Sequence, residues 1–180
     1  KTGTLTAGTP TLCATYVIAT GAQSPSHAKI LHWAADMAAH SDHPVAHAIA
    51  TGLAEHRCNA DLSNFQAMPG RGIQAHTHGA ALVLGNRRWI EEKGLSSPAI
   101  GARMAAHEEQ GHTVTLLASD TQVLAVFAVA DTIKTSSKDA VAQLRAMGVA
   151  SVMLTGDNPA TARAIALAAG IEDARGNLLP

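Results

Sequence analysis

Two short motifs rich in hydroxyls and glycine, near opposite ends of the chain, constrain its fold most. Lys1-Thr2-Gly3-Thr4 opens the 180 residues, and Thr155-Gly156-Asp157-Asn158 follows an apolar run and precedes a helix-like segment. The second motif predicts a strand-end loop where the helix dipole favours an anion, although simple helix capping is the alternative. The first can offer backbone N–H groups and hydroxyls to a phosphate, but alone it is usually a plain turn. Their occurrence together, around a long insert, favours a shared phosphate site.

The last fifty residues predict a small α/β unit. Its elements, in order, are a strand at 123–129, a helix capped by Ser136 or Ser137 and ended at Gly148, a strand at 149–154, and a helix between Pro159 and Gly170. Strands that alternate with helices predict a parallel pair joined by right-handed crossovers.

The middle of the chain predicts helices packed on an antiparallel sheet. Its elements are a strand at 11–20, helices at 25–39 and 44–56, the second capped by Ser41 or Asp42, a strand–turn–strand unit at 65–84, a helix at 98–110, and a hairpin of 113–118 with 123–129. We therefore expect an α+β insert at residues 9–128 that divides the α/β unit into segments 1–8 and 129–180.

Composition indicates a folded chain without an obvious macromolecular partner. Hydrophobic residues make up 47% and charged residues 15%, which is typical of a folded domain. The formal net charge of -1 gives no basic surface for nucleic acid or an anionic membrane. The longest strongly apolar stretch, 123–130, is far shorter than the roughly 20 residues that span a bilayer. Cys13 and Cys58 match no disulfide scaffold or metal motif, so we expect two free thiols.

Three further motifs could bind a nucleotide, and each also has a simpler interpretation. Ser41-Asp42-His43-Pro44 places a carboxylate and an imidazole at a helix start, where they could contact a purine or serve only as a cap. Gly70-Arg71-Gly72 and Gly85-Asn86 could approach a ligand closely, but such pairs are common in tight turns.

The ten histidines raise the question of a metal site. His40, His43 and His47 are spaced by three and four residues, and His76 and His78 would share one face of a strand. A proline breaks the helix register between the first two, and no carboxylate or thiol cluster completes a zinc set. We therefore expect no dedicated transition-metal site.

Taken together, the motifs resemble the ATP-binding part of heavy-metal-transporting P-type ATPases over nearly the whole chain. The matching segments are Lys1-Thr2-Gly3-Thr4 (the phosphorylation motif), Ser41-Asp42-His43-Pro44 (the Ser-Glu-His-Pro signature), Gly70-Arg71-Gly72-Ile73 (the nucleotide-binding glycine pair), Gly85-Asn86, Asp131-Thr132-Ile133-Lys134 near the hinge, and Thr155-Gly156-Asp157-Asn158 (the phosphate-contacting loop). The signature has glutamate where this chain has Asp42, which is one methylene shorter and could weaken the adenine contact.

The resemblance implies ATP and Mg²⁺ as cofactors and assigns residues to two sites. The adenine would contact Asp42 and His43, in a pocket lined by Gly70 and Gly72 with Gly85 and Asn86 nearby. Phosphoryl transfer would involve Thr2, Gly3, Thr4, Asp131, Lys134, Thr155, Gly156 and Asp157, with Thr2 offering its carbonyl to Mg²⁺. The flanking segments would form part of a haloacid-dehalogenase-like phosphorylation domain with a parallel sheet, interrupted by the nucleotide-binding domain.

The resemblance also implies a larger pump on the cytoplasmic side of a membrane, with transmembrane and actuator domains as partners. The phosphorylated aspartate would directly precede Lys1, and the magnesium-binding carboxylates would follow Pro180. Residues 1–180 alone are therefore expected to be monomeric, to bind ATP or ADP, and neither to be phosphorylated nor to move a metal. The residues of Ser41-Asp42-His43-Pro44-Val45 and of the run 124–170 resemble pumps of the zinc, cadmium, lead and cobalt group more than copper pumps.

Two other functions fit parts of the sequence. A soluble haloacid-dehalogenase-like phosphatase with a cap domain would also carry Thr-Gly-Thr and a later Thr-Gly, but it needs an Asp-x-Asp-x-Thr motif that these residues lack. A nucleotide- or metal-binding module without catalysis is the second alternative.

Overall fold

Six strands form an antiparallel sheet that occupies most of the chain. The structure is a computed structural model, and it describes residues 1–18, 24–59, 61–78 and 80–178. The strands are β1 (Thr11–Val17), β2 (Ser63–Met68), β3 (Gly72–Thr77), β4 (Ala80–Asn86), β5 (Thr113–Ser119) and β6 (Val123–Ala130). Their order is β1-β6-β5-β4-β3-β2, so the first strand pairs with the last, Thr11 opposite Ala130.

Helices cover both faces of this sheet. Helices α1 (His27–Ala39) and α2 (Pro44–Gly52) pack on one face, and α3 (Arg87–Glu92) and α4 (Pro98–Glu108) pack on the other. Every residue from 123 to 129 is consequently buried, which explains why β6 is a continuous apolar run instead of an alternating one.

The rest of the chain forms a small α/β unit around a third core. It contains α5 (Thr135–Ala146), β7 (Val152–Leu154), α6 (Pro159–Ala169) and β8 (Asp173–Arg175), and β7 pairs with β8 in parallel. The first eight residues join this unit: Ala7 N donates to Thr132 O at 2.8 Å, and Leu5 packs against the core. The fold class predicted from the sequence is therefore confirmed.

The predicted parallel pair of 123–129 with 149–154 is wrong. Strand β6 is hydrogen-bonded to β1 on one side and to β5 on the other, so it has no free edge for β7. The hairpin of β5 with β6 is confirmed. The parallel partner of β7 is β8, a three-residue strand too short to show a pattern in the sequence.

Two predicted helix caps are also wrong. Helix α2 is capped by His43, whose Nδ1 accepts a hydrogen bond from Val45 N at 3.3 Å, and not by Ser41 or Asp42. Helix α5 begins at Thr135 after Lys134 without a side-chain cap, and neither Ser136 nor Ser137 caps it. The hydroxyl of Ser137 instead donates to the carbonyl of Thr4 at 3.1 Å.

Several element boundaries differ from the prediction. Residues 65–84 belong to three strands instead of two, because a second turn forms at His78, which has a φ of 44°. Strand β1 ends at Val17, and the predicted continuation at 19–20 lies outside the described residues. Helix α3 was not predicted, whereas the bounds of α6 at Pro159 and Gly170 are confirmed. No helix in the described ranges is long and apolar enough to cross a membrane.

Candidate phosphate and nucleotide site

The loop 155–158 connects β7 to α6 and is closed by backbone bonds. Asn158 caps α6, because its Oδ1 accepts from Ala160 N at 2.9 Å and from Thr161 N at 3.0 Å. Asn177 N and Leu178 N donate to the carbonyls of residues 157 and 155 at 2.6 Å and 3.1 Å. Asn158 takes the first N–H groups of α6, and Pro159 has none, so what the helix offers the loop is the positive end of its dipole, which favours an anion.

A buried ion pair joins this loop to the start of the chain. Lys1 Nζ lies 2.5 Å from Asp157 Oδ2, and the two side chains are only 5% and 17% exposed. Asp157 also accepts from Thr155 Oγ1 at 2.9 Å and from Thr113 Oγ1 at 3.4 Å. We call Lys1, Thr113, Thr155 and Asp157 the phosphate cluster. It brings together the two motifs that the sequence predicts to share a site.

The first motif offers a carbonyl oxygen beside this cluster. The carbonyls of Gly3 and Thr4 accept from Lys134 Nζ at 2.7 Å and from Ser137 Oγ at 3.1 Å. Among the described residues, none donates to the carbonyl of Thr2. Because Mg²⁺ prefers oxygen ligands and keeps several waters, a single free carbonyl fits a metal that arrives with phosphates.

Asp131 and Lys134 bind the first segment of the chain and not the phosphate loop. Asp131 accepts from Thr6 Oγ1 at 2.5 Å and from Gly8 N at 3.2 Å. Lys134 N donates to the carbonyl of Leu5 at 3.0 Å, in addition to the bond from its side chain. Both residues therefore hold the segment that carries the first motif in place.

The predicted glycines meet where the β2–β3 turn lies against the end of β4. Gly72 has a φ of 145°, and a Cβ there would lie 2.1 Å from Leu84 O. A Cβ on Gly85 would lie 2.4 Å from the ring of Trp89. Asn86 Nδ2 donates to Gly70 O at 2.8 Å, so the turn is tied to the strand end. We call Gly70, Gly72, Gly85 and Asn86 the glycine cluster, and only glycine permits this close backbone approach.

His43 lies in the electrostatic field of the phosphate cluster. Its surface is exposed, yet the surrounding protein lowers the pKa of its imidazole by desolvation, while the charge of Asp157 acts in the opposite direction. Asp42 is exposed beside it. His43 therefore lies at the start of α2, within the electrostatic influence of the Asp157 carboxylate.

A sequence profile of the haloacid dehalogenase-like hydrolases matches residues 1–179. The chain belongs to this family. A copper-exporting P-type ATPase of Staphylococcus haemolyticus is 38% identical over 181 residues, which cover all of this chain and 22% of that protein. The chain thus spans about a quarter of the length of the curated relatives it matches.

Solved structures of this family resemble the chain over nearly its full length. A zinc-transporting PIB-type ATPase in its E2.Pi state is 31% identical with a TM-score of 0.62, over 99% of this chain and 28% of that one. The catalytic domain of the CPx-ATPase CopB-B shares the fold at 20% identity and a TM-score of 0.72, over 99% of this chain and 59% of that one. The resemblance to heavy-metal P-type ATPases is confirmed, but three relatives that are each 38% identical are described as copper transporters or exporters, and they do not support the preference for the zinc group.

The histidines of this family member do not gather into a metal centre in the described ranges. No group of three or more His, Cys, Asp or Glu side chains is placed there to hold a metal ion. The ring of His40 stacks on Phe65 at 3.7 Å between centroids, and His78 lies 3.7 Å from a carboxylate oxygen of Asp61. These two histidines thus have contacts of their own within the fold.

Two members of the phosphate cluster received no role from the sequence, although Lys1 lies in the first motif. Lys1 precedes the predicted Thr2, and a lysine in a motif that is to be buried needs a carboxylate partner, so its pairing with Asp157 had a signal. Thr113 had none, because it lies 44 residues from Asp157 at the start of an ordinary strand.

Proposed function

We propose that this chain is the ATP-binding and phosphate-handling region of a heavy-metal P-type ATPase, facing the cytoplasm. Residues 9–128 bind the nucleotide, and segments 1–8 and 129–180 form part of the phosphorylation domain. The observation that carries this proposal is the Lys1–Asp157 ion pair, because it unites the two motifs at the helix start where a phosphate would bind. The similarity to catalytic domains of such pumps supports it.

The two clusters have complementary roles in this proposal. Asp42 and His43 hold the adenine at the start of α2, and the glycine cluster forms the adjacent wall of the pocket. The phosphates point towards Thr4, Thr155 and Gly156. The carbonyl of Thr2 would be the ligand that this chain offers to a Mg²⁺ ion bound with the nucleotide, and that ion would neutralise phosphate charge. The residues of this chain supply the positioning on which phosphoryl transfer depends.

The whole pump, its transmembrane and actuator partners and its cargo belong to the same proposal. We propose copper as the cargo, because the 38% identical relative is a copper exporter and the solved zinc transporter is 31% identical. ATP hydrolysis by the full-length protein should then respond to Cu(I) more than to Zn(II). The opposite order of stimulation would restore the zinc-group preference.

Nucleotide-dependent melting of the chain tests the binding step. A ligand that binds only the folded state raises the free energy of unfolding by about 2.7 kcal/mol at a hundredfold excess over Kd. ATP and ADP with Mg²⁺ should raise the melting temperature, and GTP should raise it less. The proposal is wrong if no adenine nucleotide at millimolar concentration has an effect.

The polypeptide of residues 1–180 should take up no phosphoryl group, whatever metal is added. It contains no aspartate followed by Lys-Thr-Gly-Thr, and Asp157 is occupied by Lys1. Labelled ATP followed by acid precipitation measures this. Incorporation of label would show that Lys1-Thr2-Gly3-Thr4 is not part of an aspartyl-phosphate site.

A further inference from the structure

The segment 111–113 of the nucleotide domain lies directly on the start of α6. Thr161 Oγ1 donates to the carbonyl of His112 at 2.9 Å, and Thr113 Oγ1 donates to Asp157 Oδ1 at 3.4 Å. Gly111 has a φ of 80°, and a Cβ there would lie 3.1 Å from a side-chain carbon of Ile165. Two hydrogen bonds thus connect the insert to the phosphate loop and its helix, and a side chain at position 111 would crowd Ile165.

The contact continues into the cap of α6. Thr161 is fully buried, and its hydroxyl accepts from Asn158 Nδ2 at 3.1 Å while it donates to His112. Asn158 uses its Oδ1 to cap the helix at the same time. One hydrogen-bonded series therefore runs from the nucleotide domain through Thr161 to the residue that ends the phosphate loop.

The segment is also fixed from its own side. The Nδ1 atoms of His107 and His112 are 3.1 Å apart, and Tyr16 Oη lies 3.1 Å from His107 Nε2. Two tautomer arrangements satisfy both bonds: Tyr16 Oη–H donates to His107 Nε2 and His107 Nδ1–H to His112 Nδ1, or His112 Nδ1–H donates to His107 Nδ1 and His107 Nε2–H to Tyr16 Oη. Because β1 and α4 hold His112 in this way, its carbonyl has a set direction towards Thr161.

We propose that Thr113 and Thr161 are positioning residues that hold the phosphate loop in register with the bound nucleotide. This inference rests on the proposed function. A nucleotide held by its base has its phosphates at a fixed place relative to the insert. The loop 155–158 can contact these phosphates only if its position relative to the insert is also fixed. The hydrogen bonds of Thr161 to the His112 carbonyl and of Thr113 to Asp157 fix that position. Neither threonine belongs to the motifs that resemble the pumps.

Amide spectra of the isotope-labelled chain test the contact without any ligand. Thr113→Val should shift the amide signals of residues 155–158, and Thr113→Ser, which keeps the hydroxyl, should not. Thr115→Val is the matched control, because Thr115 lies two residues along the same strand and its hydroxyl bonds to none of the described residues. Unchanged amides in Thr113→Val would overturn the contact. Thr161→Val and Thr161→Ser repeat the comparison from the α6 side.

Titration with ATP and with AMP, each with Mg²⁺, tests the consequence. The affinity for AMP depends mainly on contacts to the base. The affinity for ATP also depends on how well the phosphate loop is aligned with the phosphates. The preference for ATP over AMP should fall roughly threefold to tenfold in Thr113→Val, the effect of one hydrogen bond, with AMP affinity unchanged. It should be kept in Thr113→Ser and Thr115→Val.

Each other outcome is decisive. An unchanged preference in Thr113→Val, or the absence of any preference in the unaltered chain, would overturn the role in register. Failure of the unaltered chain to bind either nucleotide would contradict the proposed function itself. The ligand-free spectra would then still decide whether the contact exists.

Discussion

The glycine cluster and the phosphate cluster are built on opposite principles. Apart from the Asn86 side chain, the glycine cluster is made of backbone. Its members lie at adjacent strand ends, and their close approach depends on the absence of side-chain atoms at the glycines. The phosphate cluster is made of side chains from residues up to 156 positions apart, and it exists because charged and hydroxyl groups are present. Added side-chain atoms should therefore destabilise the glycine cluster, whereas the removal of charged or hydroxyl groups should destabilise the phosphate cluster.

The largest effect is expected for Gly72→Ala. The new Cβ would meet a backbone carbonyl at 2.1 Å, at a φ of 145° that alanine rarely adopts. The free energy of unfolding should fall by about 3–5 kcal/mol, from strain and overpacking together. Urea unfolding measures it. Gly94→Ala is the control, since its φ is also positive, 71°, but nothing lies within 4 Å of the added Cβ. It should lose only about 1–2 kcal/mol, and equal losses would show that steric contact does not shape the cluster.

Removal of one charge from the phosphate cluster ranks second. Asp157→Asn leaves the ammonium of Lys1, which is 5% exposed, without a counter-charge. The free energy of unfolding should fall by about 2–3 kcal/mol, less than for a fully buried pair because the carboxylate is partly exposed. Urea unfolding of the double variant with Lys1→Met provides the control. If the double variant is no more stable than Asp157→Asn, the ion pair is not what couples the two motifs.

His43 belongs to neither cluster and combines a structural role with a proposed binding role, because it caps α2 and is a candidate contact for the base. His43→Asn keeps a side chain that caps helices well and removes the ring. The free energy of ATP binding, measured by calorimetry, should weaken by about 1–2 kcal/mol, with little change in the melting temperature of the protein. His43→Ala should lose affinity and also about 1 kcal/mol of stability. If His43→Asn binds ATP normally, the ring is only structural. Asp42→Glu, which restores the glutamate of the signature, should hold or improve affinity.

The smallest effect is expected from pH. Desolvation lowers the pKa of His112, with His107 acting in the same direction, and desolvation also lowers the pKa of His43. The unfolded chain therefore binds more protons than the folded chain, so stability should fall as pH drops through the ordinary histidine pKa of about 6.5. Urea unfolding near pH 7.5 and near pH 5.5 checks the sign. His112→Gln should weaken this dependence. A chain that became more stable on acidification would contradict the direction of both shifts.

The sequence predicted best what depends on local chemistry. The start of α6 at Pro159 and its end at Gly170 follow from residues next to the helix. The β5–β6 hairpin follows from two apolar runs separated by a polar turn. Both motifs of the phosphate cluster were found for the same reason, since each contains its own hydroxyls and glycine.

What the sequence could not predict depends on residues far apart. Strand β6 carries the pattern of a parallel strand, and only its pairing with β1 and β5 shows that it belongs to the antiparallel sheet. Ser137 could cap a helix as any serine could. Its hydroxyl instead donates to the carbonyl of Thr4, which lies 133 residues away in the sequence. Thr113 is one threonine among several on a strand, and its partner is decided by how the insert meets α6.

The pairing of Thr11 with Ala130 has a consequence for the order in which the chain folds. The first eight residues and the segment after residue 130 must meet across a loop of more than 120 residues, and closing such a loop in a disordered chain is entropically unfavourable. Once the insert folds, its first and last strands lie side by side and bring both segments together without that search. The amides of the α/β unit should therefore become protected from exchange after those of the sheet. Slow pairing of β1 with β6 should delay the folding of the whole chain.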